Sequence, residues 1–146
     1  MPIPIERHNI SIFKMKKLLL ATLIFVFSAC GLSTQEELIL SKAVGDYVDA
    51  INQNQVLIKL GLTHPRVVKY YTDQGKDTVQ KYFDLENYSI NNYVKSKMWT
   101  SDNTLCIGYS YTYNEQNHVF YAIQSKTQQN WLFIDERDAF MFPELF

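Results

Sequence analysis

Cysteine is nearly absent from this 146-residue chain, which has only Cys30 and Cys106. Two are too few for a disulfide scaffold or a four-thiolate zinc site. Histidine is almost as scarce: His8, His64 and His118. No His, Cys or carboxylate pair stands at zinc-ligand spacing, so no metal and no other cofactor is expected. There is no surplus of one charge. The 14 basic and 15 acidic side chains leave a net charge of -1, and the lysines are scattered, so no nucleic-acid partner is expected. Repeats and low-complexity segments are missing. So is a long apolar run: residues 18–27 form a stretch of ten against the roughly 20 that span a bilayer. What is present is 47% hydrophobic and 14% aromatic, with 10 Tyr, 9 Phe and 2 Trp. That content excludes a disordered chain, and the length argues for one domain.

The short apolar run is the centre of a three-part layout. Met15-Lys16-Lys17 is a positive n-region, residues 18–27 are the apolar core, and Ser28-Ala29-Cys30 supplies small residues and then a cysteine. This is the pattern of a secretory signal. Phe27-Ser28-Ala29-Cys30-Gly31 resembles the lipobox of bacterial lipoproteins, with Phe27 where that family more often has Leu. The resemblance implies that Cys30 is the lipid attachment site, diacylated on its thiol, with the signal cut before it and the new amine usually acylated. Two or three acyl chains make a stable anchor where one binds reversibly. The expected partner is therefore a membrane, through the lipid anchor, and the expected location is the bacterial cell envelope, facing the periplasm or the surface. An ordinary signal peptide that carries a Cys near its cleavage point is the alternative. Residues 1–14 precede a complete signal, and a translation start at Met15 accounts for them. The domain reading is 1–29 as upstream prefix and signal peptide, 30–37 as lipidated tether, and 38–146 as a single α+β domain. Leaving out Glu6, Arg7, Lys14, Lys16 and Lys17 takes the charge from -1 to -4, so an anionic bilayer surface has no electrostatic hold on the domain.

After the tether, Leu40, Val44, Tyr47, Val48 and Ile51 share one helical face, which predicts a helix over 35–53. Thr34, Glu36 and Glu37 suit its start. A short second helix over 56–60 ends at Gly61. Thr63 caps a third segment with Pro65 in its first turn and Val67, Val68 and Tyr71 facing inward. Residues 76–85 form another helix. The period then changes to two: Leu105, Ile107, Tyr109, Tyr111 and Tyr113 alternate with Cys106, Gly108, Ser110 and Thr112, a strand over 104–113. A four-residue turn over 114–117 leads to a strand over 119–126. A third strand covers 131–135, and a less regular one 88–99. Residues 139–146 pack as a turn or short helix over a sheet edge. Helices first and hairpin-linked strands after predict an α+β domain, with N-terminal helices on one face of an antiparallel sheet of about four strands.

The first helix with Tyr47-Val48-Asp49-Ala50-Ile51-Asn52, then Leu62-Thr63-His64-Pro65-Arg66-Val67-Val68, Gly75, and a late Trp131-Leu132-Phe133-Ile134-Asp135 together resemble the nuclear transport factor 2-like superfamily, the cystatin-like cone. The resemblance covers residues 35–135. It implies a sheet curled around helices to leave a conical pocket. Members of that superfamily include isomerases, dehydratases, non-catalytic binders and dimerising adaptors, so the fold implies a container and no particular reaction.

For chemistry, His64 is read as a helix-start residue bonded to nearby backbone rather than a pocket acid or base, and His118 as a solvent-facing turn residue. Cys106 reads as a small buried hydrophobe, since sequence shows no cation or helix end to activate a thiol. The family's isomerases imply a proton-moving carboxylate with a Tyr partner. The Asp residues (46 and 49; 73, 77 and 84; 135 and 138) match none of those positions, and none is expected on the Tyr109/Tyr111 face. No catalytic residue is assigned. Tyr47, Trp99, Tyr109 and Tyr111 are the candidate pocket lining, with core packing and a dimer surface as the other readings of the tyrosine stripe. The expected function is binding of a small apolar ligand or an envelope protein. An isomerase or dehydratase working in the cone is the alternative.

Overall fold

The computed structural model describes residues 31–83, 89–101, 104–125 and 129–146. The chain divides into two compact units, Met1–Leu38 and Ile39–Phe146. In the first, helix α1 (Thr34–Asn52) opens on a reciprocal cap. The Glu36 carboxylate accepts from the backbone N–H and the hydroxyl of Ser33, both at 2.7 Å, and the Ser33 hydroxyl accepts the Glu36 N–H at 3.3 Å. Ser33, not Thr34, therefore satisfies the orphan donors of the first turn.

In the second unit α1 buries Leu40, Val44, Tyr47, Val48 and Ile51, the face its spacing predicts, together with Ala50. Asn52 ends it by a pair of hydrogen bonds to Ile90, its amide donating to the Ile90 carbonyl at 2.8 Å and its oxygen accepting the Ile90 N–H at 2.7 Å. Helix α2 (Val56–Leu62) runs past Gly61. Its stop is Thr63, whose hydroxyl donates to the Lys59 carbonyl at 2.8 Å. With Thr63 so engaged, the cap of α3 (Pro65–Asp73) falls to His64, whose Nδ1 accepts the Arg66 N–H at 3.3 Å. Gly75, at φ +106, makes the left-handed break before α4 (Lys76–Phe83). The remainder of that predicted helix, 84–85, and the start of the predicted strand at Tyr88 lie outside the described residues.

Strands β1 (Tyr93–Ser101), β2 (Thr104–Tyr113), β3 (Gln116–Ser125) and β4 (Leu132–Asp135) form one open antiparallel sheet in the order β1-β2-β3-β4. The α+β class is thus that expected from the sequence. The β2–β3 turn is two residues, not four. Asn114 and Glu115 both have positive φ, and Tyr113 pairs directly with Gln116. Such a turn matches strand twist, so β3 begins three residues earlier than the alternation alone indicates. A register shift between Lys95 and Lys97 puts a bulge at Ser96 in the edge strand β1.

Helices cover both faces, which corrects the one-faced packing expected. Adjacent strand residues point oppositely, yet Cys106 and Ile107 are both buried, as are Phe133 and Ile134. On one face Tyr47 of α1 stacks on Phe133 (4.4 Å, 8°) and tilts against Phe120 at 5.4 Å. The chain then rounds the β4 edge, where Thr63 bridges Phe133 and the His64 N–H donates to the Phe133 carbonyl at 3.0 Å. That crossing delivers Val67 and Tyr71 of α3 to the opposite face, against Cys106, Ile123 and Ile134. The closing segment, α5 (Glu136–Met141) and a 3-10 turn (Pro143–Leu145), also lies over this α3 face. Ala139, Phe142, Leu145 and Phe146 pack there, so it covers a face and not an edge.

Candidate functional site

The α3 face carries a groove of about 420 Å³ between the sheet and the closing segment. Its floor comes from Trp99 of β1, Gly108 of β2, and Val119 and Tyr121 of β3; Ala139, Phe140, Pro143 and Phe146 form the opposite wall, and Ser96 and Lys97 the β1 end. Phe146 meets the Tyr121 ring edge-on at 5.0 Å and lies 6.0 Å from Trp99, while Trp99 and Tyr121 are edge-on at 5.8 Å. At Gly108 a Cβ would crowd the Ser96 hydroxyl at 3.2 Å and reach ordinary contact with the Tyr121 ring at 3.6 Å. The Ser96 hydroxyl itself donates to the Gly108 carbonyl at 3.0 Å. Lys97 Nζ stands 5.5 Å from the Trp99 ring centroid. Phe140 is 81% exposed.

The opposite face holds a buried charge network. Asp135, at the end of β4, accepts the Tyr47 hydroxyl at 2.6 Å on Oδ1 and Lys59 Nζ at 3.3 Å on Oδ2. The Lys59 side chain is 3% exposed and that of Asp135 22%. Burial pushes the Asp135 carboxyl up, but the Lys59 charge and the Tyr47 and Lys59 hydrogen bonds outweigh it and hold the group below its ordinary value. A second pair joins α3 to α5: the Tyr71 hydroxyl donates to the buried Asp138 at 2.9 Å. Burial first, then that bond, pushes the Tyr71 phenol up to about 12.

Of the aromatic residues named from the sequence, Trp99 lines the groove. Tyr47, Tyr109 and Tyr111 sit together on the α1 face around Phe120, Tyr109 stacked on it at 5.2 Å and Tyr111 at 6.0 Å. Tyr111 is buried, and burial with the Asp135 and Glu136 charges raises its phenol. Asp135 pairs with Phe120, which pairs with Tyr109, so one carboxylate does lie on the Tyr109 face, against expectation. His118 is not in a turn but on β3, stacked on Tyr111 at 5.4 Å. Cys106 is buried, its thiol pushed up to about 11 by burial. His64 is lowered by burial and then by the Arg66 charge. Cys30 lies outside the described residues. Among the described residues no three His, Cys, Asp or Glu converge as metal ligands, and no helix is long and apolar enough to cross a membrane.

Lys97, Phe140 and Phe146 were not legible as site residues. The signal was the row of small residues Cys106, Gly108, Ser110 and Thr112 on a strand whose other face is aromatic, which leaves room on the small-residue side. Comparison with protein families, curated proteins and solved structures returned no match.

Proposed function

We propose that this chain is a lipid-anchored cell-envelope protein whose α+β domain, of the nuclear transport factor 2-like type, works by binding a small apolar or amphipathic molecule. The anchor rests on the layout of residues 15–31, with Cys30 as the acylated residue. The family type rests on element order, helices first and a hairpin-linked antiparallel sheet after. The observation that carries the binding reading is the groove on the α3 face. Its volume of about 420 Å³ falls within the usual range for small-molecule sites, and its aromatic walls with few polar groups have the usual composition.

The isomerase or dehydratase reading has one observation in its favour, the Tyr47–Asp135 contact of 2.6 Å. The same carboxylate is tied to the buried Lys59 and kept ionised, and the groove opens on the other face. Binding is therefore the stronger reading.

The test has two arms. Expressed with its leader, the chain incorporates labelled fatty acid and Cys30→Ala does not; equal labelling of the variant overturns the anchor. Nile red, a neutral dye, binds the chain saturably, and Phe140→Ser weakens that binding several-fold. Non-saturable dye uptake, or uptake indifferent to Phe140→Ser, overturns the groove.

A further inference from the structure

The 3-10 turn Pro143–Leu145 covers a buried floor, yet no residue of the turn is itself buried. Beneath it Cys106 is fully buried, and its thiol donates to the Leu145 carbonyl at 3.8 Å. Phe146 covers Tyr121 and Trp99 by its ring contacts. The backbone here is bonded to itself. The Leu145 N–H donates to the Phe142 carbonyl at 3.1 Å and the Phe146 N–H to the Pro143 carbonyl at 3.3 Å, while Pro143 has no N–H to give. Side chains tie the turn to the rest. Arg66 Nη1 donates to Glu144 at 2.8 Å, with both side chains more than half exposed, a pair of small net worth. The Cys106 thiol is a weak donor. Just upstream the attachment is of another kind. The buried Asp138 accepts the Tyr71 hydroxyl, which holds α5 to α3, and Phe142 meets the Tyr70 ring edge-on. The closing segment is thus fixed as far as Phe142 and lightly held beyond it, the profile of a unit that opens at less cost than global unfolding.

We propose that residues 143–146 are a strap, hinged after Phe142 and latched by Arg66–Glu144, whose release uncovers Cys106, Trp99 and Tyr121 while the sheet and helices stay folded. Its role as a gate rests on the binding reading above. Pro143 and Phe146 form part of the groove wall and Gly108 part of its floor; Cys106 is two residues along β2 on the same face. Release therefore lengthens the groove along β2. An occupant of that longer floor binds the open form, and its apparent affinity is reduced by the open fraction.

Cys106 reports the opening. The full chain in nanodiscs of neutral lipid is labelled with N-ethylmaleimide, and peptide mass separates modification at Cys106 from any at Cys30. Wild-type Cys106 labels at a rate proportional to reagent and nearly constant in urea below the unfolding transition. Glu144→Gln speeds labelling about threefold, the scale of one exposed ion pair, and Phe146→Ala roughly tenfold, for the loss of a half-buried ring. Lys69→Gln, which breaks an exposed pair within α3, leaves the rate unchanged. Labelling with the free energy and urea slope of global unfolding, or indifferent to Glu144→Gln and Phe146→Ala, overturns the strap. For the gate, Glu144→Gln tightens Nile red binding, measured against empty discs, by the same factor by which it speeds labelling. Unchanged dye affinity beside faster labelling overturns the gate and keeps the strap. If Nile red does not bind, the binding reading falls and labelling alone decides the strap.

Discussion

Asp135 ties a strand end to two helices through a single carboxylate. Tyr47 comes to it from α1 and Lys59 from α2, and the lysine is buried. Removing the negative charge strands an ammonium out of water, which is the costly way to break such a pair. Asp135→Asn is expected to destabilise the domain by about 3 kcal/mol, the low end of the range for a buried pair, because the carboxylate keeps some solvent contact. Urea unfolding measures it, and Lys59→Met added to the Asn variant restores part of the loss. The pH dependence has a definite sign. The folded carboxyl titrates below its ordinary value of 3.8, so on acidification the unfolded chain takes up the proton first. The contribution is complete above that value and disappears as pH falls through the folded pKa. A wild-type stability that falls on acidification no more steeply than that of Asp135→Asn contradicts this. Sequence hid the network because Lys59 sits inside a short apolar run, Val56–Leu62, whose pattern does not mark it as buried. In the fold Leu57 is 83% exposed and Lys59 is inside, where its ammonium pairs with Asp135.

At the level of elements, the period-two and helical patterns were sufficient to locate β2 and the buried face of α1, because both patterns are sustained and each follows one rule of geometry. Boundaries were legible where a side chain makes the stop, as Asn52 does. They were not where two candidates compete for the same backbone group. Thr63 and His64 both suit a cap, and a parallel bridge to Phe133 decided between them. The β2–β3 turn was misread because Glu115 is an unusual residue for a left-handed position. It occupies φ 63 and Asn114 φ 48. Left-handed backbone costs an ordinary side chain roughly 1–2 kcal/mol, and the Asn-Gly pair is the preferred solution for this turn. Glu115→Gly is therefore expected to stabilise the domain by about 1 kcal/mol, seen as a raised urea midpoint with an unchanged slope. A destabilised Gly variant contradicts the two-residue turn.

Over the whole of the second unit, the consequential feature is a chain that changes face. The bridge at Thr63 carries α3 across the β4 edge, and the closing segment follows to the same side. One face becomes an aromatic interior around Tyr47, Phe120 and Phe133. The other, built over Cys106 and Gly108, is left with a groove. Sequence showed the alternation that separates these faces. It did not show which of them would be filled, because that depends on a crossing made through backbone groups that carry no sequence signature. Of the three readings of the tyrosine stripe, core packing is the one that holds for the buried Tyr109 and Tyr111, and the small-residue stripe on the other face of β2 went unread. The proposed acylation of Cys30 would anchor the body that carries the groove.

Native mass spectrometry of the chain extracted from its own membranes examines both halves of that account at once. The account predicts a polypeptide that begins at Cys30, carries two or three covalent acyl chains, and holds one small molecule that is released on collisional activation. A chain that retains residues 15–29 without acylation, and flies with its groove empty, contradicts it.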